Sequence, residues 1–349
     1  MKKWSQYLRY SRRLLQWGFA VLLLIIGWQF FRFVSQLESG VPLTVSRPAG
    51  VEAFLPISAL ISLKYWLLTG VFNTIHPASL VLLLIILLLS FILKKVFCSH
   101  VCPIGLISDY LARLHIWIFD RPRHLPAWLD YPLRSLKYLL LAFFIYTILF
   151  EMNVQQLQAF IHSPYNQVAD IKMLLFFRDI SAFNLKVIAA LALLSVLVRY
   201  FWCRYLCPYG ALLGLVSFFS PFKIRRRKET CIDCLKCTKV CPANIEVHRA
   251  SVVRSDECHA CLQCVDVCPV KNTLNFSVTK RRGTMPRWLL PVAVVLTFLI
   301  FTTAARLTGH WHNRISEQQY RQHIEYLDTP RYQHNRGRVA DDQNFPVNE

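Results

Sequence analysis

Long unbroken apolar runs dominate this chain. Val81–Ser90 reads VLLLIILLLS, and Leu289–Phe301 is apolar almost throughout. A helix half exposed to water would show polar residues every three or four positions. About 20 apolar residues are needed to cross the ~30 Å hydrocarbon layer of a bilayer. Five blocks reach or approach that length: 14–34, 78–97, 136–152, 184–202 and 287–306. The pattern predicts an all-α polytopic membrane protein with about five transmembrane helices. The first block is too long, and too uniformly apolar toward its end, for a simple signal peptide. It lacks an A-x-A site before Phe30-Phe31, so it is expected as an anchor. The further apolar stretches 53–72 and 171–180 are interrupted or flanked by Pro, Lys, Arg or Asp. They are expected as interfacial or re-entrant segments on the outer side.

Charge follows the same alternation. The chain carries 40 Lys and Arg against 20 Asp and Glu, which by itself would permit nucleic-acid binding. The excess, however, is +5 over 1–13, +4 over 94–137 and +10 over 199–287, while 35–77, 151–183 and 306–349 are close to neutral. Cytoplasmic loops of membrane proteins hold such an excess, so topology explains the charge and no nucleic-acid partner is expected. The N-terminus and the loops 98–135 and 203–286 fall inside, and the C-terminal tail outside. The runs Lys223–Lys228 and Lys280–Arg282, with Arg287, suit either steering of an acidic electron-transfer partner or, as the plainer expectation, topology and contact with anionic membrane lipid. The predicted organisation is a four-span region 1–220, an inserted segment 221–286, a last span 287–306 and a tail 307–349, read as a small outer cap.

The four-span region contains a direct repeat. Phe97-Cys98-Ser-His-Val-Cys102-Pro103-Ile-Gly105-Leu106 matches Trp202-Cys203-Arg-Tyr-Leu-Cys207-Pro208-Tyr-Gly210-Ala211. Each copy, C-x3-C-P-x-G, follows an apolar span and precedes an amphipathic stretch. Internal repeats of membrane proteins often place a shared site where the halves meet. In the inserted segment a second motif is duplicated: Cys231-x2-Cys234-x2-Cys237-x3-Cys241-Pro242, then Cys258-x2-Cys261-x2-Cys264-x3-Cys268-Pro269. This is the spacing of the bacterial ferredoxin run, whose fourth cysteine serves the other cluster. By that rule Cys231, Cys234, Cys237 and Cys268 hold one [4Fe–4S] cluster, and Cys258, Cys261, Cys264 and Cys241 the other. The insert is expected as a small α+β dicluster ferredoxin-like domain. Structural zinc prefers two separated C-x2-C pairs, and disulfides do not suit the reducing side of the membrane.

Cys98, Cys102, Cys203 and Cys207 admit two readings. Thiols four residues apart on one helix face suit two ligands of one centre better than a disulfide. Pro103 and Pro208 fit the first helical position, which would set Cys102 and Cys207 at helix N-termini, where the dipole favours thiolate. Four converging thiolates would make a third iron–sulfur or other metal centre, or a thiol relay. The alternative is four separate reduced thiols with packing roles.

The paired C-x3-C-P motifs with a dicluster segment behind them resemble the NapH/NosR/YccM group of membrane polyferredoxins. Arg47-Pro-Ala-Gly-Val-Glu-Ala-Phe-Leu-Pro56 and Thr308-Gly-His-Trp311 add to the likeness. The resemblance implies an electron-transfer protein of the bacterial inner membrane. In some members of the group it implies quinol oxidation on behalf of a periplasmic or membrane redox partner. It implies the twelve cysteines as the working residues. The outer loops and tail are too short for the flavin-binding domain of NosR-like members, so no flavin is expected. Another reading is a redox assembly factor that reduces a metal ion such as copper, or a thiol, for a membrane enzyme; a third has the clusters as redox sensors. His76 and His162, expected on the outer side, are candidates for haem or quinone contact but read better as interfacial residues beside turn prolines. His310 and His312 flank Trp311 without completing a metal site, and His100 sits inside the first C-x3-C pair. No hydrolase triad or phosphate loop is present.

Overall fold

The computed structural model describes residues 2–120, 125–279, 284–327, 329 and 332, with the backbone alone over 2–10. The run Lys280–Arg282 and most of the tail beyond Leu327 lie outside the described residues. The chain is mostly helical. In order come α1 (Lys2–Glu38), α2 (Pro56–Thr69), α3 (Pro77–Leu93), α4 (Val96–His100), α5 (Pro103–Phe119) and α6 (Ala127–Tyr146). There follow α7 (Val154–His162), α8 (Pro164–Gln167), α9 (Ala169–Arg178), α10 (Ala182–Leu197) and α11 (Pro208–Phe218). The remainder holds β1 (Lys223–Arg226), α12 (Lys236–Lys239), α13 (Gln263–Asp266), β2 (Leu274–Ser277), α14 (Leu289–Leu307) and α15 (Glu317–Glu325). Five of these helices open on proline, whose fixed φ suits a first turn and which gives up a donor the helix would leave unpaired anyway.

Among the described residues three helical segments are long and apolar enough to cross a membrane: Ser11–Glu38, Ala127–Glu151 and Leu289–Leu307. Segments α9 and α10 qualify as a pair, but they are bent by 83° at their junction. Of the about five spans expected, three, or four with the bent pair, therefore pass on length and composition, and α3 falls short. The reason is local. The 17 residues of α3 extend only ~25 Å at 1.5 Å per residue, because the chain breaks at Lys94, a left-handed residue with φ 63°. The stretch expected at 171–180 is the first arm of the bent pair, and that at 53–72 contains α2.

The chain forms two compact units. One comprises Met1–Leu22, Ile85–Phe143 and Ala182–Ile300, and holds all twelve cysteines. Within it α5 packs on α10, where the His115 ring pairs through Nδ1 with the carbonyl of Val196 at 2.7 Å. Strands β1 and β2 pair antiparallel with Ile224 opposite Phe276, closing the two ends of the cysteine-rich segment onto each other. Ile224, Val247, Val253, Leu274 and Phe276 are buried beneath this ribbon.

The other unit comprises Leu23–Leu84, Phe144–Ser181 and Phe301–Glu349. Here α2 packs on α7 around Ile61, Tyr65, Leu157 and Ile161, and Tyr320 of α15 meets Phe33 edge to face at 5.5 Å. Reciprocal Asn153/Gln156 and Ser316/Gln319 capping boxes start α7 and α15. Lys64, which interrupts an apolar stretch in the sequence, donates to the carbonyls of Ile148 and Leu149 at 3.0 Å, which the π-helical turn Thr147–Glu151 presents. A charged network lies fully buried in this unit. Arg47 donates from Nε to Asp170 at 2.7 Å and from Nη1 to Glu52 at 2.9 Å, and the Ser79 amide donates to Glu52 at 2.9 Å.

Candidate metal centres

The ferredoxin-type loops repeat each other in backbone as well as in sequence. In the first, Asp233 and Leu235 flank Cys234 with φ of 46° and 60°; in the second, Ala260 and Leu262 flank Cys261 with φ of 49° and 58°. Left-handed non-glycine residues are unfavourable and persist where the surroundings dictate them. Reversals of this kind can turn backbone amides toward an anionic centre, and the Ile245 amide here donates to the Cys241 sulfur at 3.4 Å. The short helices α12 and α13 then carry Cys237 and Cys264.

Two small cavities result. One, about 20 Å³, is lined by Cys231, Cys234, Cys237 and Cys268; the other, also about 20 Å³, by Cys241, Cys258, Cys261 and Cys264. Each wall thus combines three cysteines of one motif with the fourth of the other. The rest of the linings is largely apolar, including Ile232, Leu235, Pro269 and Leu274 in one and Ile224, Pro242, Val253 and Leu262 in the other. Among the described residues no three His, Cys, Asp or Glu side chains converge closely enough to hold a single metal ion. Four thiols on each wall are the ligand set of a [4Fe–4S] cluster. Burial pushes the Cys241 thiol up to about 11 and Cys261 up to about 12, so metal binding here must displace protons.

The C-x3-C-P copies are also alike in backbone. The amides of Cys102 and Cys207 donate to the carbonyls of Phe97 and Trp202, each at 3.0 Å across an i to i−5 turn, and both cysteines cap the helix that the next proline begins. Gly105 is required: a Cβ there would lie 2.1 Å from the Cys98 carbonyl oxygen, whereas at Gly210 the nearest atom would be 3.5 Å away. The two copies meet. Ser108 of α5 lies 3.4 Å from the Cys203 sulfur, and the Phe97 and Tyr209 rings are 6.1 Å apart. The expected thiolate character at the helix N-termini is overturned for the unligated thiols. Burial raises Cys102 to about 11 and also raises Cys207, outweighing the lowering by the first-turn amides of Gly105 and Gly210.

Comparison with known proteins bears on both pairs of motifs. A "4Fe-4S binding domain" family matches residues 75–125 and again 183–227, one match per C-x3-C-P copy, and a "4Fe-4S dicluster domain" family matches 223–269. YccM of Escherichia coli K12, whose name provisionally assigns it to electron transport, is 42% identical over 321 residues, covering 90% of this chain and 89% of YccM. The chain belongs to the YccM family of membrane polyferredoxins. The methylamine utilization ferredoxin-type protein MauN of Paracoccus denitrificans is 30% identical over 48% of this chain and 54% of its own length. The regulatory protein NosR of Stutzerimonas stutzeri is 28% identical over 42% of this chain and only 20% of NosR. No solved structure matches. This is a membrane protein of iron–sulfur electron transfer.

In this YccM-type chain the cysteine loops are pinned by residues that the sequence does not single out. Glu257, next to Cys258, receives Lys95 at 3.3 Å, Lys137 at hydrogen-bond distance and Arg134 at 3.6 Å. Lys94 donates to the Ser255 carbonyl at 2.9 Å, Arg204 to the Ala243 carbonyl at 2.7 Å and Arg199 to Asn244 at 2.8 Å. Charges beside hydrophobic runs read in sequence as flanking residues; only the tertiary fold shows them as buried tethers. The neighbouring cations Lys95 and Lys137 hold the Glu257 carboxyl well below its usual range, although burial alone would raise it.

A third cavity, about 410 Å³, is lined by Arg12, His100, Asp109, Arg199, Tyr200 and Cys261 among others. Asp109 there accepts from Arg12 at 2.6 Å, from Gln16 at 3.0 Å and from the Tyr200 hydroxyl. Burial holds His100 near 3, hence neutral, with Nδ1 against the Ser99 hydroxyl at 2.8 Å; Ser99 in turn donates to the His259 carbonyl at 2.6 Å. The histidines expected on the outer side are engaged elsewhere. His76 is bound through Nε2 to the Asn166 carbonyl at 2.6 Å, His162 through Nδ1 to Gln158, and His310 lies on the Phe72 ring. His312 is exposed.

Proposed function

We propose that this chain passes single electrons through two [4Fe–4S] clusters, one held by Cys231, Cys234, Cys237 and Cys268 and the other by Cys258, Cys261, Cys264 and Cys241. The observation that carries the reading is the crossed lining of the two cavities: each motif lends its fourth thiol to the other's pocket. Bound clusters supply one-electron chemistry. The chain's own residues supply the thiolates, the Ile245 amide on Cys241 and the buried cations near them.

Segment 221–286 acts as a cytoplasmic ferredoxin-like module placed before a last span at 287–306. Residues 1–220 form the membrane region and 307–349 a periplasmic tail, in the bacterial inner membrane. The duplicated family match at 75–125 and 183–227 and the meeting of the two C-x3-C-P copies favour Cys98, Cys102, Cys203 and Cys207 as a further centre. The electron path links the quinone pool, or a cytosolic donor, to a respiratory or maturation partner. The cavity beside Cys261 suits the pool: its volume falls in the range of small-molecule sites, and Asp109 with Tyr200 and Arg12 offers a hydrogen-bonded group to a proton-carrying head group.

The test is anaerobic titration of the detergent-purified protein with menaquinol or ubiquinol, followed by low-temperature EPR. Reduction of the clusters by quinol, slowed in Asp109→Asn with the clusters intact, supports the link. Clusters that dithionite reduces and quinol leaves untouched would exclude it. Stoichiometric reduction of copper without repeated quinol turnover would favour the assembly-factor reading instead.

A further inference from the structure

The two cysteine quartets differ in what lies outside them. Cys241, Cys258 and Cys264 are buried and Cys261 is partly covered, whereas in the other quartet Cys234 is exposed to solvent. On the same loop Ile232 and Leu235, both lining that cavity, are 64% and 41% exposed. Apolar side chains left in water beside a thiol ligand form the centre of a contact face.

The rim of this face is cationic. Arg227, Lys228 and Lys236 are exposed, and among the described residues none of them has a carboxylate partner. The nearby acids are mostly spent: Asp233 pairs with Arg226 at 3.2 Å and Glu246 with Arg249 at 3.0 Å, which leaves Glu229. A small apolar centre inside a rim of net positive charge is the arrangement that steers an oppositely charged protein and then holds it loosely.

We propose that the face around Cys234, Ile232 and Leu235 is the docking site of an acidic one-electron carrier protein, a small soluble iron–sulfur or flavin protein with its redox group near its surface. This deepens the electron-transfer reading and rests on it. On docking, the carrier gives up one electron and is oxidised by one unit, this chain is reduced by one unit, and no bond forms and no proton moves. The potentials of the two partners set the direction. The exposed thiol shortens the path that the electron must cross.

The experiment uses the full-length protein, purified anaerobically in zwitterionic nanodiscs, with an acidic [2Fe–2S] ferredoxin, chemically reduced, as the probe. Stopped-flow mixing gives the second-order rate. It is expected to fall at least ~10-fold between about 20 and about 300 mM salt, as the Debye length shortens. The double variant Lys228→Glu/Lys236→Glu is expected to lower the low-salt rate ~10- to 100-fold and to flatten the salt dependence. Its iron content and EPR spectrum should stay unchanged, which separates docking from damage to the cluster loop. A rate indifferent to salt and to charge reversal overturns the proposal, as does faster exchange with a basic cytochrome c than with the acidic ferredoxin. Collapse of the rate in nanodiscs rich in phosphatidylglycerol also overturns it, since the face would then lie on lipid. Absence of iron–sulfur signals in the unmodified protein contradicts the cluster reading itself; intact signals with no charge effect contradict the docking face alone.

Discussion

Replacing Glu257 by Gln tests how the cysteine loops are attached. The carboxylate serves Lys95, which is 2% exposed, and Lys137, which is fully buried, with Arg134 at 3.6 Å. Gln keeps the shape and an acceptor oxygen but leaves two buried ammonium groups without a counter-charge. Removing one partner of a buried ion pair costs ~3–5 kcal/mol, and two orphaned cations place E257Q toward the upper end of that range. Thermal unfolding of the anaerobic protein, read by tryptophan fluorescence alongside release of cluster absorbance, should show an earlier transition with both signals moving together. The pH dependence has a defined sign. The carboxyl of Glu257 is held below its unfolded value, so its contribution is present above ~4.3 and is lost as pH falls toward the folded value; the gap between parent and E257Q should narrow in acid. The companion Glu257→Leu/Lys137→Met should recover part of the loss, because both members of one pair are then apolar. Equal transition temperatures and iron contents for parent and E257Q would refute the tether.

Other outcomes follow from the same geometry. Gly105→Ala must push a methyl into the Cys98 carbonyl 2.1 Å away, which at ~1–3 kcal/mol for overpacking should lower expression and melting temperature, while Gly210→Ala should be nearly neutral. Cys241→Ser should abolish the EPR signal of the quartet containing Cys258, and Cys268→Ser that of the quartet containing Cys231; the opposite assignment would contradict crossed ligation. Arg47→Met should cost ~3–5 kcal/mol by orphaning Asp170 and Glu52, yet leave iron per folded chain unchanged, since its unit contains no cysteine. Parallel loss of iron in Arg47→Met would argue against that separation.

What the sequence could disclose was set by range. Ligand spacing is local, so C-x2-C-x2-C-x3-C-P leads directly to two quartets, and the C-x3-C-P-x-G copies announce their own repeat. Proline at the first helical turn is equally local, and it marks the starts of α5 and α11. Span number was less legible, because hydropathy does not register the left-handed break at Lys94 or the 83° bend between α9 and α10. The left-handed residues Leu235, Ala260 and Leu262 carry no glycine to betray them. The tethers Lys95–Glu257 and Arg47–Asp170 join residues 162 and 123 positions apart, and no periodicity encodes such partners. The helix-dipole argument for Cys102 and Cys207 failed for a related reason: it weighs the local dipole but not the burial that the fold imposes.

The most direct test of the central claim is the iron and acid-labile sulfide content of the protein purified without oxygen, with EPR at low temperature after reduction. Two [4Fe–4S] clusters require about eight iron and eight sulfide per chain, with higher values if the C-x3-C-P thiols bind a further centre, and a brown protein whose signals vanish when the eight ferredoxin-type cysteines are replaced by serine. A colourless preparation, or one holding about a single zinc ion per motif and no sulfide, would contradict the account.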